Sequence, residues 1–254
     1  MSIELPTLNL EAIRAAELEE ARYIQQAMLP AEQLRGANFE FVHLCRPVSE
    51  VGGDFLDYFW LDDRRAGFYL GDVVGKGLPA AMFAALAVGT LRGMHKTGTQ
   101  PRTVLEVLND RLRMRVVPGR YCAVLYATFD PGSLELRIAN AAMPRPLLIS
   151  GRSVREIGDG GLPSGLFEGV TYDQATVKLA PGDCVLFASD GLTDARDAHD
   201  NDFGYDRLHA LCSSLAGQPA QALLQNLFAA VESFASQSRH HDDMTATLLR
   251  IPPA

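Results

Sequence analysis

The sequence is poor in the features that usually place a protein at a glance. It has only four cysteines, Cys45, Cys122, Cys184 and Cys212. They lie far apart, with no Cys-x-x-Cys pair and no Cys/His ligand spacing, which is the pattern of reduced thiols. Positive charge is also short: 23 Lys and Arg stand against 31 Asp and Glu, a net charge of −8. With no basic cluster in view, nucleic acid and anionic membrane surfaces are unexpected partners. The opening residues, MSIELPTLNLEAIR, lack an apolar signal core. The longest apolar run, Leu78 to Leu91, is too short to span a bilayer and reads as a buried helix. A cytoplasmic protein is expected. Neither an internal repeat nor a low-complexity segment is present. A phosphate loop is missing too, although Gly75-Lys76-Gly77 suggests one. That loop needs Gly-x-x-x-x-Gly-Lys-Ser/Thr, so that backbone N–H groups wrap phosphate. Here three residues separate Gly71 from Gly75, and Gly77 and Leu78 stand where a hydroxyl is required.

What is present alternates between strand and helix. Residues 9–28 form an amphipathic helix, with Leu10, Ile13, Ala21, Ile24 and Met28 near helical spacing. Asn9 can cap its start, and Leu29-Pro30 ends it, because the residue before proline disfavours the α region. The helix either packs on its own domain or serves as a linker or dimerisation helix, and the abrupt proline break favours the second. The segments FEFVHLC, AGFYLGDV, YCAVLYATF, LELRIA, TYDQATVKL, DCVLFAS and MTATLLRI have strand character. Short turns such as Asp130-Pro131-Gly132-Ser133 imply antiparallel hairpins. Helices are expected at about 79–96, 101–115, 204–216 and 219–236. They come in adjacent pairs, which argues against a wound parallel sheet. Phe55, Tyr58, Phe59 and Trp60 read as core, and Asp62-Asp63-Arg64-Arg65 as a solvated hairpin turn.

The chemistry lies in the aspartates beside short glycine or polar turns: Asp54 and Asp57, Asp72, Asp190 and Asp194, and the pair Asp242-Asp243. One carboxylate at a strand end is usually a turn former or a helix cap. Four such clusters in one chain suggest converging oxygen donors, which hard cations such as Mg²⁺ and Mn²⁺ require. An all-carboxylate pocket repels itself without a cation. Two-metal sites suit phosphate-ester hydrolysis.

The strings ARYIQQAMLP, EVGGDFLDYF, GDVVGKGLPAAM, PGDCVLFASDGLTDARD, FGYDRL and DDMTATLLRI, in this order over residues 20–251, resemble the metal-dependent protein phosphatase (PPM, type 2C) superfamily in its bacterial SpoIIE/RsbU branch. The resemblance implies an α+β fold, an α-β-β-α sandwich of two antiparallel sheets flanked by helices. Residues 1–30 would be the N-terminal linker or dimerisation helix and 31–254 the phosphatase domain. It implies two ions, Mn²⁺ or Mg²⁺, between the sheets. Asp72 matches the bridging aspartate, Val73 would offer its carbonyl, and Asp54, Asp190 and Asp242 match further ligands. Asp243 matches the neighbouring position of the same metal site, often Asn or Asp, and is counted with the metal residues in a supporting rank. Gly53, Gly75 and Gly77 would shape the loops. The implied activity is hydrolysis of phosphoserine or phosphothreonine, on a phosphorylated STAS-domain anti-sigma-factor antagonist in a partner-switching pathway. The implied partners also include an upstream sensor or response regulator and a second copy of the chain. A non-catalytic regulatory module and a small-molecule phosphoesterase are the rival readings. Some positions depart from the family. The histidine that eukaryotic relatives place two residues after the bridging aspartate is Val74 here, and His240 and His241 adjoin Asp242. The usual Ala-Gly-His is Ala141-Ala142-Met143. Arg46 is the nearest candidate for a phosphate-gripping arginine, although a surface salt bridge suits it better.

Overall fold

The computed structural model describes residues 10–30, 33–94, 100–235 and 242–253. Asn9, His240 and His241 lie outside these residues. In chain order, helix α1 (Leu10–Met28) precedes strands β1 (Gln33–Arg35), β2 (Glu40–Arg46), β3 (Phe55–Trp60) and β4 (Ala66–Val73). Helices α2 (Gly77–Arg92) and α3 (Pro101–Arg113) follow, then β5 (Cys122–Asp130), β6 (Glu135–Ala141), β7 (Leu147–Ser150), β8 (Ser153–Glu156), β9 (Gln174–Lys178) and β10 (Cys184–Ala188). A 3₁₀ turn (Asp190–Leu192), α4 (Gly204–Leu215), α5 (Ala220–Phe234) and β11 (Met244–Arg250) complete the described chain.

The strands form two antiparallel sheets, ordered β1-β2-β11-β10-β7-β8 and β3-β4-β5-β6-β9. Alternation along each strand explains the layering, since successive side chains point to opposite faces. Phe41, Phe68, Leu70, Val185, Phe187 and Leu249 point inward to the core between the sheets. The rings of Phe68 and Phe187 meet there at 4.7 Å, one from each sheet. Each such buried side chain contributes about 1.5–3 kcal/mol. The alternate residues Val42, Cys184, Leu186 and Leu248 face α4 and α5, while Tyr69, Val73 and Tyr126 face α2 and α3. The expected sandwich is therefore the observed one.

Four strands escaped the sequence reading: β1, β3, β7 and β8. The first and the last two are only 3 and 4 residues long. The second, FLDYFW, has both faces covered over most of its length and so shows no alternation. One core assignment needs correction. Phe55 and Tyr58 are buried, but Trp60 is 44% exposed, because it ends β3 at the mouth of the hairpin, where its ring meets Phe39 edge-on. That hairpin turn is as expected, with Asp62 Oδ1 accepting the backbone N–H groups of Arg64 and Arg65.

Helix α1 has no buried residue. It is seated by polar contacts. The Gln25 amide donates to the Gly52 carbonyl at 2.7 Å and accepts the Gly52 N–H at 3.0 Å. At its C-terminal end, Arg92 of α2 donates to the Met28 carbonyl. Leu10, Ile13, Tyr23 and Ile24 remain exposed.

Candidate metal centre

Four segments bring carboxylates to one end of the sandwich. Asp54 ends the loop before β3, and Asp72 is the penultimate residue of β4. Their strands pair, with Phe55 opposite Gly71. Asp190 opens the turn after β10 and Asp242 precedes β11; these strands pair in the other sheet, with Ala188 opposite Ala246. The structure thus brings together Asp54, Asp72, Asp190 and Asp242. It leaves Asp57 out. That side chain points from β3 toward α2, where Arg92 pairs with it at 2.8 Å. Asp194 sits one turn beyond Asp190, its N–H donating to the Asp190 carbonyl.

The electrostatics follow from this crowding. Burial and the neighbouring charge of Asp72 push the Asp54 carboxyl well above the usual range. Asp72 is pushed up to about 7, by burial first and then by Asp190, Asp242 and Asp243, while contact with Asp54 partly offsets the rise. Burial and then Asp194 raise Asp190. Lys76 enters the group, with Nζ 3.5 Å from Asp242 Oδ2.

Asp243 stands apart from the ligand role that resemblance suggested. It is buried, with Oδ1 accepting the Val48 N–H at 2.8 Å and Oδ2 accepting the Gly53 N–H at 2.7 Å. Both oxygens are thereby committed to fixing the loop that carries Asp54, and we assign Asp243 as a brace for that loop. Gly52 is required beside it, because a Cβ there would meet Asp243 Oδ2 at 2.1 Å. Ser189 is a residue that sequence reasoning missed. Its hydroxyl donates to Asp54 Oδ2 at 2.8 Å and accepts the Thr245 N–H at 3.0 Å, joining the two sheets across the site. Its only signal was its place before Asp190.

The loop after β4 turns as its glycines suggest, with φ of +96° at Gly75 and +66° at Gly77. Val74 is held by Tyr121, whose carbonyl accepts its N–H, and by Arg120, which donates to its carbonyl at 2.6 Å. Arg46 pairs with Glu232 at 3.4 Å, the surface salt bridge expected of it. Ala142, where the resemblance places glycine, adopts φ +69°. It lines an open hollow together with Asp190, Asp194 and Tyr205.

These residues fit a hard divalent cation. The donors are all oxygen, and burial with neighbouring negative charge raises the proton affinity of Asp54, Asp72 and Asp190, which a cation relieves. A Cβ on Gly53 would fall 2.8 Å from the Val73 carbonyl oxygen and 3.3 Å from Asp72 Oδ1, so only glycine leaves these two oxygens accessible together. Among the described residues no three acidic, His or Cys side chains close on one point.

Two stacked antiparallel sheets with helix pairs outside, and aspartates from both sheets at one end, are the architecture of a type 2C (PP2C) protein serine/threonine phosphatase domain. The family model for stage II sporulation protein E (SpoIIE) matches residues 62–252. The chain belongs to the SpoIIE family. It is 25% identical to phosphoserine phosphatase RsbU of Bacillus subtilis (strain 168) over 239 residues, covering 92% of this chain and 70% of RsbU. The SiaA PP2C domain of Pseudomonas aeruginosa superposes with a TM-score of 0.87 at 23% identity, over 96% of this chain and 99% of that one. RsbX, solved in complex with magnesium, superposes with a TM-score of 0.65 at 14% identity, over 86% and 98% of the two chains.

Proposed function

We propose that this chain removes phosphate from phosphoserine or phosphothreonine of a protein, using two divalent cations, Mn²⁺ or Mg²⁺. Asp54, Asp72, Asp190, Asp242 and the Val73 carbonyl would hold them. The observation that carries the reading is the position of Asp72, touching Asp54 within its own sheet while facing Asp190 and Asp242 from the other. When bound, the cations neutralise phosphoryl oxygens and supply an activated solvent nucleophile. The chain's own contribution is positional. Asp243 and Ser189 hold the Asp54 loop, Gly53 keeps the Val73 carbonyl accessible, and Lys76 keeps a positive charge beside Asp242. Such positioning accounts for much of phosphoryl-transfer catalysis.

The resemblance to RsbU supports a phosphorylated STAS-domain protein as substrate, in a partner-switching pathway within the cytoplasm. An upstream sensor or response regulator would act on the same chain. Among the described residues no helix is long and apolar enough to cross a membrane. The uncovered Ile13 and Ile24 of α1 support homodimerisation through residues 9–28.

Phosphate release from a phosphorylated STAS-domain protein, with and without Mn²⁺, tests the activity. No turnover of any ester with Mn²⁺ would favour a non-catalytic module. Faster turnover of small esters than of the phosphoprotein would favour a small-molecule phosphoesterase. Asp72→Asn is expected to lose activity while keeping a native circular dichroism spectrum. Retention of more than about a tenth of the rate, equivalent to about 1.4 kcal/mol of transition-state stabilisation, would sink the assignment of Asp72.

A further inference from the structure

The chain is acidic overall, but residues 111–120, RLRMRVVPGR, hold four arginines and no acid. The sequence reading of a chain without a basic cluster missed this local exception, which net charge averages away. Arg113 is taken up by Glu168, at 2.6 Å. Among the described residues no carboxylate pairs with Arg111, Arg115 or Arg120. The same turn exposes Met114 (77%), Val116 and Val117.

A second loop lies against it. Asn109 and Arg113 of α3 donate to the carbonyls of Phe167 and Leu166, and Asn109 accepts the Gly165 N–H. Leu166 and Phe167 are exposed. The result is an apolar surface edged by Arg115, which has no carboxylate partner among the described residues, and by Arg120, which is bonded to the Val74 carbonyl. Exposed apolar surface with a charged edge marks an interaction site. Its place is set by strand pairing. Val73 pairs with Cys122, and Cys122 exchanges two backbone hydrogen bonds with Ser164. The loop therefore lies two strand spacings, about 10 Å, from the Val73 carbonyl. Arg120 links the surface to the site directly, through its bond to Val74 and its contact over Gly75.

We propose that the turn 114–120 and the loop 162–168 dock the phosphoprotein substrate, taking an acidic and apolar face beside the phosphorylated residue. This rests on the phosphatase reading above. Charge complementarity selects the occupant. A phosphorylated, acidic segment offers oxygens to the paired N–H donors of arginine and apolar side chains to Val117 and Phe167. It also allows close approach to a chain whose remaining surface would repel it.

The test uses two phosphoserine peptides of equal length, one flanked by Asp, Glu and Leu and the other by Lys, Arg and Ser. Both are followed by fluorescence anisotropy and by phosphate release with Mn²⁺, alongside p-nitrophenyl phosphate. The wild type is expected to bind the acidic peptide at least tenfold more tightly, with the preference shrinking in high salt. Arg115→Glu and Val117→Asp, checked for native circular dichroism, are expected to lose that preference. The ratio of kcat/KM for the acidic peptide to that for p-nitrophenyl phosphate should fall at least tenfold. Equal binding of the two peptides, or variants that bind the acidic one as the wild type does, would overturn the proposal. So would absent discrimination together with sedimentation on phosphatidylglycerol vesicles that the variants lose, which assigns the turn to a membrane surface. Discrimination without turnover of any of the three esters would remove the phosphatase reading and leave the docking surface standing.

Discussion

At the scale of single residues, the site is a set of groups that conflict without cations. Asp72 shows this best, because its carboxyl is pushed up to about 7 from an ordinary 3.8. The cation-free folded state therefore holds this proton more tightly than the unfolded chain does. Linkage then makes that state less stable as pH rises from about 4 to 7, with the full penalty present above 7. In EDTA, Tm is expected to fall across that window in the wild type and to fall less in Asp72→Asn. Parallel pH profiles for the two proteins would show that Asp72 is not under this strain. The sequence made these carboxylates visible because each stands beside a short turn. It could not show that Asp243 braces a loop while its neighbour Asp242 faces the cluster. That division depends on the backbone N–H groups of Val48 and Gly53, about 190 residues away in the chain.

At the scale of elements, helix α1 and the arginine turn carry the unassigned surfaces. Most of the stability of an amphipathic helix such as this one, of 19 residues, comes from packing its apolar face. With Leu10, Ile13 and Ile24 uncovered, its polar contacts to Gly52 and Arg92 leave the apolar stripe without a partner among the described residues. Removing residues 1–29 is expected to convert a dimer into a soluble monomer that still binds Mn²⁺, with altered basal activity. Light scattering on both chains decides this: a monomeric full-length protein at micromolar concentration, or a dimeric truncation, would count against the helix. The five described helices and every described strand of 5 residues or more except β3 were legible from their patterns. The two strands flanking Gly151-Arg152 were not, because 4 residues give too few alternations to register.

At the scale of the whole molecule, the carboxylates lie where the two sheets meet, so the cations proposed above would bind through contacts that folding brings together. A ligand that binds only the folded state stabilises it by about 2.7 kcal/mol at 100 times its Kd. Saturating Mn²⁺ is therefore expected to raise Tm of the wild type and to leave Asp190→Asn, which loses a donor from one sheet, with a smaller rise. Equal rises would place the bound cation elsewhere. Antiparallel pairing was readable from the hairpin turns and paired helices, and the sandwich itself was implied by the ordered motifs that resemble its family. What sequence could not supply was the way the sheets are joined at the site. The Ser189 hydroxyl crosses from one sheet to the other, and nothing in its local pattern distinguishes it from an ordinary turn serine.

The double hydrogen bond between Gln25 and Gly52 has a consequence beyond seating a helix. Gly52 is two residues from Asp54, so the seat of α1 and the cation loop share a segment of backbone. Coupling of this kind is reciprocal: if the seated helix favours the cation-competent loop by some factor, the cation favours the seated helix by that same factor. Amide hydrogen exchange along α1 should therefore slow when Mn²⁺ is added, and Gln25→Ala should abolish the slowing. Exchange in α1 that ignores the cation would mean that the two ends of this contact move independently.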